Sequence, residues 1–260
     1  MLVIGHRGAK GEAPENTIGG FRYALDKGIT HFELDVRLSA DGVPVVIHDA
    51  TTRRTTGRKF RVEQCSALQL ARMDAASKNN WPFFERVPTL LDIIPLLEIS
   101  DSVQLEIKAD QPSRQHALLR SIGEALKHAD PQRYTITSVD TNILALAATV
   151  LPQFRRGLLC SRPMINYLAI ANRLGCELLV FQHRILSRKL IEQAHRSGFE
   201  VSTYTTNDIR RIKKLGDFGV DSIITDYPVK YRHLQPPART PQSIKWPPLP
   251  LREAGAALPG

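Results

Sequence analysis

Residues 31–38 read His-Phe-Glu-Leu-Asp-Val-Arg-Leu. Phe32, Leu34, Val36 and Leu38 alternate with His31, Glu33, Asp35 and Arg37, the two-residue period of a β-strand. Glu33 and Asp35 therefore project to the same side, away from the apolar set. Upstream, residues 2–5 form a short apolar run ending in Gly5, as a buried strand would. Residues 17–27 place Ile18, Phe21, Ala24 and Leu25 on one helical face, and Gly28 supplies the stop. Downstream, Asp41-Gly42 signals a turn into a strand over 43–47.

From 50 to 88 the pattern becomes irregular, which predicts an insertion over the main fold. Beyond it, strands at 103–108, 134–138, 157–160, 178–182, 200–205 and 222–225 alternate with helices at 113–128, 142–151, 165–174, 188–197 and 208–215. Repeated alternation specifies a parallel sheet with helices outside. About eight core strands is the number that closes a (β/α)8 TIM barrel. No GxGxxG follows an early strand, so an open doubly wound sheet is the weaker alternative. The expected organisation is a barrel domain over residues 1–231, with its insertion at about 50–88, and a proline-rich tail over 232–260. Eight of the 17 prolines fall between Pro228 and Gly260, which predicts an extended tail or a strap lying on the barrel.

The 35 Lys and Arg outnumber the 26 Asp and Glu, for a formal net charge of +9. These cations are scattered, so no nucleic-acid partner is expected, only a mild preference for anionic ligands. Cys65, Cys160 and Cys176 form no CxxC pair and are odd in number, which argues against a zinc knuckle or a disulfide framework. A reducing, cytoplasmic location is the expectation. The opening residues lack a basic region followed by an apolar run, so no signal peptide is expected. No stretch is long enough to span a bilayer, and no stable membrane insertion is expected.

In a barrel the reactive face lies at the carboxyl ends of the strands. His6 and Arg7 follow the first strand, Glu33 and Asp35 share a face of the second, and His48-Asp49 follow the run 43–47. Glu106 and Lys108, again two apart, end the run 103–108. Each group alone has a plain structural reading, as a chance tripeptide, a solvated strand face or a surface ion pair of little worth. Aimed together at one mouth they need a cation or an anion as partner, because Lys, Glu and Asp are rarely buried unpaired. Glu33, Asp35 and Glu106 form an oxygen-only set suited to Mg2+ or Ca2+. Arg7 and Lys108 complement a phosphate-like anion. His6 and His48 are candidates for general base and general acid.

These motifs, in this order, resemble the glycerophosphodiester phosphodiesterase family. The resemblance rests on His6-Arg7-Gly8 with Pro14-Glu15-Asn16-Thr17, Glu33-Leu34-Asp35-Val36, His48-Asp49 with Thr55-Thr56-Gly57, and Glu106-Ile107-Lys108. Val87-Pro88-Thr89-Leu90, Ser138 and the closing run 219–228 extend it to most of residues 2–231. It implies a (β/α)8 barrel that hydrolyses glycerophosphodiesters, such as glycerophosphocholine or glycerophosphoethanolamine, to glycerol 3-phosphate and an alcohol. It also implies one divalent metal ion on Glu33, Asp35 and Glu106, catalysis by His6 and His48, and phosphate contacts from Arg7 and Lys108. Glu15 and Asn16 receive a supporting role. Where the family has Trp-Thr-x-Asn, this chain has Tyr204-Thr205-Thr206-Asn207, so Tyr204 stands as a shorter aromatic wall that bears on head-group preference.

The expected chemistry is metal-assisted diester cleavage with one histidine as base and the other as acid, and with either the glycerol 2-hydroxyl or water as first nucleophile. The runner-up is lysophospholipase D or phosphoinositide phospholipase C-like activity on lipid diesters. A reading from another class is a catalytically silent barrel that binds anionic polymers or membranes. His31 is expected to be structural, His183 to lie on the rim, and Trp81 with Phe83-Phe84 to pack the insertion onto the barrel.

Overall fold

The structure, a computed structural model, describes residues 1–78, 80–235 and 246–248. The chain opens with β1 (Leu2–His6), α1 (Ile18–Asp26), β2 (His31–Leu38) and β3 (Pro44–Val46). Thr17 starts α1 by accepting the Gly20 amide on its hydroxyl, which satisfies one of the free N–H groups of the first turn. Gly28, with φ of 80°, follows its end. The strand read at 43–47 is the short β3, which runs antiparallel to β2 with Val46 opposite Val36.

The insertion carries α2 (Arg53–Thr56) and α3 (Ala67–Ala71). Val45, Ile47, Val62, Cys65, Leu70, Met73 and Val87 give it a small core of its own. Trp81 packs against the main core, edge-on to Tyr23. The chain then continues through α4 (Leu90–Leu97), β4 (Ser102–Ile107), α5 (Pro112–Ala125), β5 (Tyr134–Ser138), α6 (Thr141–Val150), β6 (Arg155–Cys160) and α7 (Tyr167–Arg173). It ends in β7 (Leu178–Gln182), α8 (Arg188–Arg196), β8 (Glu200–Tyr204), α9 (Ile209–Asp217), β9 (Ser222–Thr225) and α10 (Pro228–Tyr231). Two predicted helix ends move inward for local reasons. Leu126 leaves helical geometry at φ −98° and ends α5, and the Asn166 side chain caps α7 by accepting the Ala169 amide.

Eight parallel strands close a ring in the order β1-β9-β8-β7-β6-β5-β4-β2, and β1 pairs with β2 to complete it. This is the (β/α)8 barrel the alternation predicts. Outward-facing side chains such as Phe32, Leu34, Val36, Leu179, Phe181 and Val201 pack under the helices. The interior is divided. Ile4, Leu159, Leu178, Val180 and Ile224 form an apolar plug on one side, whereas Glu33, Asp35, Gln104, Thr135 and Thr137 make the β2–β5 side polar. That polar half is the floor under the mouth.

After α10 the chain passes beneath the barrel, where the Gln235 side chain accepts the Val3 amide. Further on, Trp246 donates its indole N–H to Asp26 at 2.8 Å, and Arg22 lies over its ring while donating to the Pro247 carbonyl. Trp246–Pro248 thus rests on α1 as a strap would. The remainder of the predicted tail, residues 236–245 and 249–260, lies outside the described residues.

Candidate active site

β1 ends at His6, and the chain turns sharply at once. A Cβ on Gly5 would stand 2.1 Å from the Gly8 carbonyl oxygen, so only glycine permits this turn. Arg7 and Asn16 then adopt positive φ, 53° and 55°. Asn tolerates that region, but Arg does not favour it, and the side-chain contacts hold both in place. Arg7 donates to Glu15 at 2.8 Å, and its Nε lies 3.0 Å from Asp35. Asn16 donates to the same Asp35 oxygen, Oδ2, at 2.8 Å. The loop between β1 and α1 therefore turns both side chains inward onto β2.

Adjacent strands bring the carboxylates together. Asp35 is in register with Glu106, and oxygens of Glu33, Asp35 and Glu106 all lie within 4.8 Å of one another. Lys108 contacts both Glu106 and Asp35, the latter at 2.8 Å. Burial would raise the Asp35 carboxyl, but Lys108 and Arg7 beside it hold it well below the usual carboxylate range. Glu33 goes the other way: burial, reinforced by Asp35 and Glu106, pushes it well above that range. Its Oε1 is buried without a hydrogen-bond partner. Burial also raises Glu106, although Lys108 opposes this.

Both histidines stand over this trio, each with a carboxylate on Nδ1. His6 Nδ1 lies 2.5 Å from Asp226, and its Nε2 lies 3.8 Å from Glu33. Asn207 donates to the second Asp226 oxygen at 2.7 Å. Burial would raise Asp226, but the bonds to His6 and Asn207 pull it down to about 2. His48 Nδ1 lies 2.7 Å from Asp49, whose other oxygen accepts from Arg54. Arg54 also forks onto Glu15, the partner of Arg7. Arg37 donates to the His48 carbonyl at 2.7 Å and so fixes the loop after β3. Burial pushes both imidazoles below their ordinary value of 6.5.

The structure thus gathers His6, Arg7, Glu15, Asn16, Glu33, Asp35, His48, Glu106 and Lys108 at one mouth. Arg7 and Lys108, read as phosphate-side groups, are both engaged by carboxylates here. Tyr204 ends β8, where it packs on the apolar plug; burial and the nearby Glu106 charge raise its phenol. His31 sits at the far end of β2, 2.8 Å from Ser102. His183 follows β7 on the rim, half-buried. Asp226, Asn207, Arg54 and the Asp49 side chain have no assigned role in the sequence reading. Asp226 at least is visible there, as the residue just past the last strand.

Fold and site together define a (β/α)8 barrel with two carboxylate-paired imidazoles and a carboxylate cluster at the carboxyl ends of its strands. Comparison with known proteins narrows the class. Residues 6–230 match the glycerophosphoryl diester phosphodiesterase family, and the chain belongs to that family. The chain is 32% identical over 233 residues to a glycerophosphodiester phosphodiesterase of Caldanaerobacter subterraneus subsp. tengcongensis, covering 87% of this chain and 94% of that one. A solved phosphodiesterase of Oleispira antarctica, in complex with the product sn-glycerol-3-phosphate, is 27% identical with a TM-score of 0.82, covering 90% and 96%. A Thermotoga maritima glycerophosphodiester phosphodiesterase, 22% identical with a TM-score of 0.74 over 90% and 98%, shares the fold. Among the described residues, no helix is long and apolar enough to cross a membrane.

Proposed function

We propose that the protein hydrolyses small glycerophosphodiesters to glycerol 3-phosphate and an alcohol, with His6 and His48 as the acid–base pair. The observation that carries this reading is that both imidazoles have a carboxylate on Nδ1. The carboxylate fixes the tautomer and leaves Nε2 as the working nitrogen. His6 Nε2, on the side of the carboxylate trio, takes the proton from the attacking hydroxyl. His48, more open to solvent, gives one to the leaving alkoxide. Arg7 and Lys108 stand where they offset charge gathering on the phosphate. Glu15 restrains Arg7, Asn16 restrains Asp35, and Tyr204 walls the side opposite β2.

Glu33, Asp35 and Glu106 fit a divalent cation. The donors are all oxygen, Glu33 Oε1 has no other partner, and burial of three carboxylates together calls for positive charge. Bound there, Mg2+ or Ca2+ supplies Lewis acidity toward phosphate and hydroxyl oxygens. A cytoplasmic location belongs to the same reading, supported by three buried cysteines that are all free. The barrel at 1–231, its insertion and the tail are proposed as the domain organisation.

The test is a screen over glycerophosphocholine, glycerophosphoethanolamine and the matching lysophospholipids, with Mg2+ and Ca2+ compared and glycerol 3-phosphate detected. Release from the deacylated diesters, abolished by a chelator and restored by metal, is the expected result. Activity that survives thorough chelation removes the metal role. Turnover confined to the lyso-substrates replaces the small-diester reading.

A further inference from the structure

The loops at the carboxyl ends of the strands share a surface composition that the reaction does not require. Large exposed apolar side chains among the described residues number eight, and five of them fall on this face. Val139 follows β5, Met164 and Ile165 follow β6, Tyr227 follows β9, and Phe60 lies in the insertion beside Thr52. Ile99, just before β4, belongs to the opposite end of the barrel. The loop over residues 161–166 is exposed throughout. Met164 at its tip is 104% exposed with φ of 62°. A non-glycine residue in the left-handed region, with its apolar side chain wholly in water, is unfavourable twice over.

Exposed cations share this face with these side chains. Arg53, Arg58, Lys59, Arg162 and Arg184 are exposed, and none of them enters an ion pair among the described residues. The acidic groups of the same loops are already engaged. Asp49 holds His48 and Arg54, Asp110 holds Arg114, Asp140 and Asp208 cap α6 and α9, and Glu12 accepts two amides at the start of α10. The face therefore combines apolar tips with positive charge. Among the described tail residues, Trp246–Pro248 lie on α1, with Asp26 at that helix's far end.

We propose that this face is a docking surface for an anionic lipid bilayer, with Met164 and Ile165 entering the head-group layer and the arginines meeting lipid phosphates. Apolar tips that share a face with cations match such a surface, whereas an aqueous partner of negative charge has no use for a fully exposed methionine. Contact is peripheral and reversible, since a few side chains bury little area. Docking sets the catalytic mouth against the membrane and does not depend on which diester is cleaved.

The experiment is co-sedimentation of the full chain with phosphatidylcholine vesicles, with and without phosphatidylglycerol. Binding is expected only with the anionic lipid, weakening as salt rises. Met164→Asp combined with Ile165→Asp should lower vesicle binding about tenfold or more, by removing apolar burial and adding like charge. Arg162→Glu should lower it by about fivefold or more, the worth of a cation at such a surface. Hydrolysis of a soluble diester should be unchanged in both variants, which shows that they remain folded. The proposal is overturned by equal binding of wild type and double variant, by no binding to anionic vesicles at low salt, or by gel filtration showing that the double variant breaks a dimer.

Discussion

His6 comes from the first barrel strand and takes its carboxylate from just past the last, 220 residues away, whereas His48 takes its carboxylate from the next residue. The two pairs have nearly the same geometry and very different surroundings. The His6 side chain is 10% exposed and the Asp226 side chain 16%, with Asn207 completing the chain of hydrogen bonds. The His48 and Asp49 side chains are 34% and 31% exposed, and Arg54 shares the carboxylate. Closing the barrel makes the first pair, since β1 and β9 meet only in the finished ring. The second pair needs only a local turn, held down by Arg37. One histidine is thus tied to the global fold and the other to a loop, a division that suits a fixed base and an acid that exchanges protons with solvent.

The largest effect should come from removing either imidazole. His6→Ala and His48→Ala are each expected to lower kcat by roughly 10²–10⁴-fold, the usual contribution of general acid–base groups, in a steady-state assay with metal saturating. Near-normal turnover in either variant would sink the pairing. The carboxylates should then separate the two. Asp226→Asn keeps the shape but loses the charge that orients a buried imidazole, and should lower kcat by about 10–100-fold with KM little changed. Asp49→Asn should cost less than about tenfold, because a half-exposed, partly screened charge pair contributes only ~1 kcal/mol or less. Equal losses would mean that burial does not distinguish the pairs.

The same contrast marks how far the sequence can be read. Groups whose partners lie within one strand or one turn are legible: Glu33 with Asp35, Glu106 with Lys108, and His48 as the end of an apolar run. The barrel is legible because strand and helix periods alternate so regularly after residue 100. The Asp226–His6 bond, and the Arg54 fork that joins the insertion to Glu15, are not, because each depends on where distant segments land once the ring has closed. The short β3 reads as a strand, but only the structure shows that it lies outside the parallel ring. That Arg7 and Lys108 are engaged by carboxylates is likewise a fact of three dimensions, for in sequence a cation near an acid looks the same as a cation awaiting phosphate.

The smallest effect is on stability and follows from the lowered imidazoles. Burial depresses His6 below 6.5, with Arg7 adding to this and the Asp226 bond opposing it. His48 is depressed in the same way. The folded protein therefore binds protons less readily than the unfolded chain as pH falls past 6.5. Unfolding takes up the protons that folding refused, so the stability is fully present above about pH 6.5 and is lost as pH falls toward the folded values. Without added metal, the two histidines should lower the urea midpoint between pH 7.5 and pH 5.5, against the opposing effect of Glu33 and Glu106, whose raised carboxyls take up protons in the folded state. His6→Gln should flatten that fall, by on the order of 1 kcal/mol for each tenfold difference in proton affinity it abolishes. His48→Gln should flatten it less, because a half-exposed ring is better solvated in the folded state. If the two variants flatten the profile equally, the buried and open histidines do not differ in desolvation, and the assignment of a fixed base and an exchanging acid loses its physical basis.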